Sequence, residues 1–171
     1  MKLLRLIVIS GIILFIVVTF LFALFPSTIR VSRIMVVNAD LQKTSATIED
    51  LKTWRQWNHF INDSLLTNIN ISSPSMGKSA FLQSDQFKIL VTGNNLDSMS
   101  TLWTKTGGKS FTGQFTMTSE APGITTVQWY FDFHFKWYPW EKLGAMFYDK
   151  QLGPVMEKSL NDLNTYIGKI P

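Results

Sequence analysis

The chain has 171 residues, 46% of them apolar and only 16% charged, with a formal net charge of +4. That length holds one globular domain, and 13 Phe, 6 Trp and 4 Tyr supply ample bulk for a core, which excludes intrinsic disorder. The absence of Cys and the presence of only 2 His exclude disulfide frameworks, thiol nucleophiles and Cys-rich zinc sites.

From Leu6 to Phe25 the chain runs without a charge, broken only by Ser10, Gly11 and Thr19, behind Lys2 and Arg5. As a helix this stretch spans about 30 Å, the thickness of a bilayer's hydrocarbon core. It exceeds the apolar region of a cleavable signal, and its exit, Phe22-Ala23-Leu24-Phe25-Pro26, has no small-x-small cleavage pair. The sequence therefore predicts an uncleaved signal anchor over residues 1–25 and a domain over residues 26–171. Basic residues flank both sides of the span, so the positive-inside count is a tie. A very short charged N-terminus before a long domain favours a single pass with the domain extracytoplasmic.

Once Lys2 and Arg5 are assigned to the anchor, 14 basic residues face 12 acidic ones. The remainder is nearly neutral, and its charges alternate in sign. It lacks the basic stripe that a phosphate backbone requires, so no nucleic-acid partner is expected.

Ile29 to Asn38 is rich in β-branched residues and predicts a first strand. Asp40 is expected to cap a short helix carrying Leu41, Thr44, Ile48 and Leu51. Asp50 then begins a second one holding Trp54 and Trp57. Weak β character over 68–72 is followed by predicted strands over 77–83, 86–92, 98–106, 109–120 and 124–137. Their expected turns are Ser84-Asp85, Gly93-Asn94-Asn95, Gly107-Gly108 and Ala121-Pro122-Gly123. In the last strand Val127, Trp129, Phe131, Phe133, Phe135 and Trp137 share one face, while Gln128, Tyr130, Asp132, His134 and Lys136 share the other. Helical spacing resumes over 141–167 with a stripe of Leu152, Met156, Leu160, Leu163 and Ile167, and Pro154 is expected in the first turn of the final helix. That stripe has only the apolar face of the sheet to bury itself on. The predicted fold class is α+β, a seven-stranded antiparallel sheet around a long C-terminal helix, with two small helices after the first strand and a transmembrane helix in front.

This order resembles the helix-grip, or START-like (SRPBCC), superfamily, and particular residues carry the likeness. Arg33 to Ala39 resembles its first strand, and Asp50-Leu51-Lys52-Thr53-Trp54-Arg55-Gln56-Trp57 resembles its D-L-x-x-W-x-x-W element. Met76-Gly77-Lys78-Ser79 is similar to its glycine turn, Thr126-Val127-Gln128-Trp129 to the T-x-V-x-W of its last strand, and Leu152-Gly153-Pro154 through Leu163 to its closing helix. The resemblance covers 28–168 and looks nearest to membrane-anchored bacterial proteins described as polyketide cyclase or dehydrase-like. It implies a cavity between sheet and helix that takes lipids, polyketides or other apolar molecules, and a bacterial inner-membrane setting. It does not imply an enzyme, and no catalytic residue is carried over.

Cavity candidates on the apolar face are Phe81, Trp103, Phe115, Met117, Trp129, Phe131 and Phe133 from the sheet, with Met156 and Leu160 from the helix. The same aromatic bulk is also sufficient to fill the concavity. Asp132 and His134 fall with Tyr130 on the polar face and read as solvated surface. His59 has no sequence neighbour to make it a metal ligand and reads as a hydrogen-bonded structural residue. No metal and no cofactor are expected. Asn62-Asp63-Ser64 and Asn70-Ile71-Ser72 match the glycosylation sequon, which has meaning only in a eukaryotic secretory pathway. The expected partners are a lipid bilayer, through the N-terminal helix, and a hydrophobic or amphipathic small molecule. A cyclase, dehydrase or hydrolase using polar cavity residues, and a ligand-free interaction module, remain as alternatives.

Overall fold

Apolar residues at every other position of the strands set one sheet face inward, and a computed structural model of the protein shows what covers that face. The structure describes residues 2–24, 27–62, 66–134 and 147–170. Its elements are α1 (Lys2–Ala23), β1 (Thr28–Val37), α2 (Leu41–Glu49), α3 (Trp54–Trp57), β2 (Asn70–Ile71), β3 (Phe81–Gln83), β4 (Phe87–Asn95), β5 (Ser98–Lys105), β6 (Ser110–Ala121), β7 (Ile124–His134) and α4 (Tyr148–Lys169). The strands form one antiparallel sheet in the order β1-β7-β6-β5-β4-β3-β2, so the first strand closes one edge beside the last. The helix-grip prediction holds for these elements. The expected final-strand residues Phe135, Lys136 and Trp137, the 141–146 part of the predicted helical segment, and Asp63 and Ser64 of the first sequon lie outside the described residues.

Helix α1 is long and apolar enough to cross a membrane, and none of Leu3–Leu21 is buried. Membrane anchors and signal sequences share that length and composition.

Helix α4 buries Gly153, Met156, Ser159, Leu160, Leu163 and Ile167, a stripe at the three- and four-residue spacing of one helix face. It makes most of its sheet contacts with β1. Polar ties fasten it there. Arg33 on β1 donates from Nε to Glu157 at 2.6 Å and from Nη1 to Asp149 at 2.9 Å. These bonds to Asp149 and Glu157 keep the Arg33 guanidinium protonated above its ordinary range, against the opposing cost of partial burial. Asn38 N–H donates to Asn164 Oδ1 at 3.1 Å, and Lys43 Nζ donates to the Ile170 carbonyl at 2.6 Å.

Several boundaries differ from the sequence reading, each for a local reason. Pro154 is the seventh residue of α4 rather than part of its first turn, since the helix begins at Tyr148. The preceding Gly153 explains the pair better than a helix start does. A Cβ there would collide with the Arg33 guanidinium, so the missing side chain is the seat of that group. Asp40 occupies the N-cap position of α2, yet its carboxylate makes no cap bond and accepts from Gly123 N–H at 2.7 Å. Asp50 ends α2 and bonds Lys52 N–H and Ser75 Oγ, organising the turn before α3 rather than capping that helix. The expected turn at Gly93-Asn94-Asn95 is strand, because a bulge between Val91 and Gly93 absorbs one residue and moves the reversal to Leu96-Asp97. The strand expected from Gly77 starts at Phe81, since Gly77 (φ +87°) and Ser79 (φ +74°) hold a turn that no strand accommodates.

Gly153→Ala tests the seat of Arg33. In an Arg33→Ala background the added methyl should stabilise α4 by about 1 kcal/mol through helix propensity. In the native chain it should give no gain, because it displaces Arg33 from Asp149 and Glu157. Urea unfolding of the four proteins of the cycle reads the difference.

Candidate functional site

The inner face of the sheet carries Leu82, Ile89, Trp103, Phe111, Phe115, Trp129, Phe131 and Phe133, which register aligns across β3 to β7. Two layers cover it. Over the centre, α3 drives Trp54 and Trp57 into the sheet, and both are fully buried. Phe115 and Trp129 stack with centroids 4.8 Å apart, and Trp57 meets both edge-on at 6.2 and 6.4 Å. Trp54 lies 5.9 Å from Phe115 and 6.2 Å from Trp103. Such tilted and offset contacts are what ring quadrupoles favour, and they leave this part of the sheet solid.

Polar atoms in this layer are mostly satisfied. Trp54 Nε1 donates to the Ile48 carbonyl at 2.7 Å and Trp57 Nε1 to Thr53 Oγ1 at 3.2 Å. Trp103 Nε1 donates to Thr101 Oγ1 at 3.0 Å, which donates in turn to the Gly113 carbonyl at 2.9 Å. Gly113 is bare for a reason. A Cβ there would lie 2.7 Å from Phe131 Cε1, 2.8 Å from Thr101 Oγ1 and 2.9 Å from Trp103 Nε1. Trp129 Nε1 is buried without a partner.

Beyond the α3 indoles the cover thins. Phe60, in the turn after α3, sets its ring edge-on to Trp103, Trp129 and Phe131 at 5.7–5.8 Å. The turn is pinned to α4 by a bond from His59 N–H to Ser159 Oγ at 2.9 Å and by His59 Nε2 against Asp162 Oδ2 at 2.5 Å. Between Phe60 and Leu152 of α4 lies an apolar cavity of about 270 Å³ whose other walls are Phe87, Trp103, Phe111 and Phe131, with Gln86 and Lys105 as its polar members. A second hollow of about 360 Å³ shares Lys105, Phe111 and Leu152 and adds Lys109, Ser110, Phe133, His134, Tyr148 and Gln151. The first is an aromatic slot, and the second, meeting it at those three shared walls, is the more polar.

The sequence-predicted residues divide accordingly. Trp103 and Phe131 line the slot and Phe133 the adjoining hollow. Phe115, Met117, Trp129, Met156 and Leu160 are buried in the packed core and line neither. Phe81 is a correction. It pairs with Leu90 while its neighbour Leu82 faces inward, so alternation turns Phe81 to the outer face, where Lys88 Nζ sits 5.1 Å from its ring. The sequence reading did not include Phe60, Phe87, Phe111 and Leu152 among its cavity candidates. Phe87 and Phe111 lie two residues from the inward positions Ile89 and Gly113, and Leu152 begins the α4 stripe, so spacing alone reaches those three. Phe60 lies in a turn, where no periodicity speaks.

The polar candidates fall elsewhere. Arg30 grips Asp132 through Nε at 2.7 Å and Nη2 at 2.8 Å and lies 3.9 Å over the Tyr130 ring, a surface arrangement on the outer face. The hydrogen bond that Arg30 donates to Asp132 raises the Arg30 pKa. His134 is exposed at the end of β7, bordering the second hollow. His59 has the carboxylate partner that its sequence neighbourhood did not reveal, supplied by Asp162 a hundred residues on. Among the described residues no three His, Cys, Asp or Glu side chains cluster as metal ligands would.

A seven-stranded sheet, two small helices entering its face and a long closing helix define a START-like, helix-grip protein. The chain belongs to the family described as polyketide cyclase / dehydrase and lipid transport, whose profile matches residues 28–168. Among solved structures it is similar to DynU16 of the dynemicin biosynthetic locus, with a TM-score of 0.58 and 18% identity over 85% of this chain. It spans only 48% of the DynU16 chain. A START superfamily protein from Mycobacterium smegmatis matches with a TM-score of 0.62 and 16% identity, covering 83% of this chain and 99% of that one. The di-domain aromatase/cyclase BexL of the BE-7585A biosynthetic pathway matches at 0.63 and 12%, covering 85% of this chain and 52% of that one. Identities this low speak for the fold alone. No curated protein sequence matches the chain.

Core residues and slot-lining residues should respond differently to truncation. Phe115→Ala opens a void in close-packed surroundings and should cost about 3–5 kcal/mol in urea unfolding. Leu152→Ala faces space that is already empty and should cost less than half as much.

Proposed function

We propose that the protein is a membrane-tethered binding domain that holds a hydrophobic or amphipathic small molecule, of lipid or polyketide character, in the slot between the sheet and α4. One observation carries this reading: an apolar cavity of about 270 Å³ persists between Phe60, Phe87, Trp103, Phe111, Phe131 and Leu152 although the neighbouring sheet is filled solid with indole and phenyl rings. Small-molecule sites are typically concave and apolar, with few polar groups. The slot matches that description, its polar members being Gln86 and Lys105.

The family's description, which names both cyclisation or dehydration and lipid transport, supports a ligand of this kind. Among the described residues the 270 Å³ cavity has no carboxylate or imidazole wall to act as a general base, His134 borders only the adjoining hollow, and the His59–Asp162 pair is engaged in pinning the Phe60 turn. Binding is therefore favoured over turnover. The tether contributes by concentration: a domain held by a few residues next to a bilayer meets membrane-dissolved ligands at an effective concentration on the order of millimolar.

The test is saturable binding of a neutral apolar dye, N-phenyl-1-naphthylamine, by the full chain held in amphipol. The native protein should bind it. Leu152→Trp, which fills the slot from the helix side, should weaken binding at least about tenfold, or ~1.4 kcal/mol, with the circular dichroism spectrum unchanged. A native chain without saturable binding overturns the reading.

A further inference from the structure

We infer that the Phe60 turn is the door of the slot, and that His59 latches it shut against α4. The inference rests on the binding function proposed above. At about 270 Å³ the slot is smaller than most small-molecule sites, which run to roughly 300–1,000 Å³, so taking in a lipid-like or polyketide-like molecule requires one wall to yield.

Most walls are held from several directions. Phe87, Trp103, Phe111 and Phe131 stand on β4 to β7, whose backbones are paired within the sheet, and the Trp103 indole is tied as well to Thr101 Oγ1 at 3.0 Å. Leu152 belongs to α4, and Arg33 fastens that helix on both sides of it, at Asp149 and Glu157. Phe60 is the exception among the described apolar walls, since it lies in a turn outside any helix or strand. Its ring is half-buried, resting on Trp103, Trp129 and Phe131.

The turn is also lightly attached. Ile61 and Asn62 N–H both donate to the Asn58 carbonyl at 2.9 Å, so these backbone bonds close the turn on itself and not on the sheet. Among the described residues two hydrogen bonds join it to α4, and both run through His59: its N–H donates to Ser159 Oγ at 2.9 Å, and its Nε2 meets Asp162 Oδ2 at 2.5 Å. Ser159 is held in place for this by donating to the Val155 carbonyl at 2.7 Å. Water reaches the second bond, the Asp162 side chain being 44% exposed. Asn58 and Ile61, fully buried on either side of the door, are its hinges. Two donors beside it, Nδ2 of Asn58 and Nε1 of Trp129, are buried without a partner while it is shut. Unmet donors favour leaving the closed state, which offsets part of the loss of the latch.

The experiment follows N-phenyl-1-naphthylamine entering and leaving the full chain in amphipol by stopped-flow fluorescence. Asp162→Ala removes one latch bond at a partly exposed site. The association and dissociation rate constants should rise together by at least about fivefold, as the loss of one such hydrogen bond from the closed state allows, with Kd changed by less than about twofold. A purely structural tie would lower urea stability and leave the rates alone. A second variant locks the door. The bond from His59 N–H to Ser159 Oγ keeps those two α carbons within about 7 Å, in reach of a disulfide, and the chain has no Cys of its own. In His59→Cys with Ser159→Cys, dye exchange by the oxidised protein should be at least about tenfold slower than by the same protein after reduction. Unmoved rates in Asp162→Ala, a rise in dissociation alone, or equal exchange by the oxidised and reduced forms of the crosslinked pair overturns the inference. A native chain that binds no dye removes the binding site together with its door, whereas saturable binding with unmoved rates removes the door alone.

Discussion

Everything about the site follows from how four aromatic rings fill the middle of the sheet. Trp54, Trp57, Phe115 and Trp129 are all fully buried, and each removes roughly 150–250 Å² from water. At about 25 cal/mol per Å², each contributes on the order of 4–6 kcal/mol as an upper bound. With α3 covering the centre, α4 makes most of its sheet contacts at the β1 edge, where Arg33 reaches over Gly153 to Asp149 and Glu157. The gap between these two covers is the slot. It exists because the rings of α3 stop at Trp57 and the next one, Phe60, belongs to a turn rather than to a helix.

The fold was legible in the sequence because its signals are periodic. Alternation in β7, Gly-Gly and Pro-Gly turns and the α4 stripe each depend on a regular backbone, and the structure keeps all three. The errors cluster where a residue serves a distant partner. Gly153-Pro154 reads locally as a helix start, but the glycine answers to Arg33, 120 positions earlier. Asp40 reads as a cap, but it answers to Gly123. The candidate site was half legible for a related reason. Inward parity identifies which rings leave solvent, and it correctly separates Trp103, Phe131 and Phe133 from the polar face. Whether a buried ring meets another ring or empty space depends on packing from α3 and the Phe60 turn, which no strand pattern encodes. Trp129 and Trp103 are equivalent by alternation, yet one is sealed in the core and the other forms a cavity wall.

Charge is distributed with similar economy. The outer face of the sheet is stabilised locally, with Arg30 shared between Asp132 and Tyr130, and such exposed pairs contribute little to folding. Arg33 is different because its side chain is only 22% exposed and it joins two elements that are far apart in sequence. It holds the helix beside the slot without entering the slot, so the rigid frame and the apolar lining are supplied by separate sets of residues. The walls can therefore vary in size and shape while the frame stays intact.

Gly113 marks where such variation would be most abrupt. The hydrogen at that position is what lets the Trp103 indole lie flat on its own strand, tied to Thr101, as a wall of the slot. A single methyl group would press on Phe131, Thr101 and Trp103 together, each of them under 3.0 Å away. One codon thus governs how two walls of the hollow, Trp103 and Phe131, can sit together.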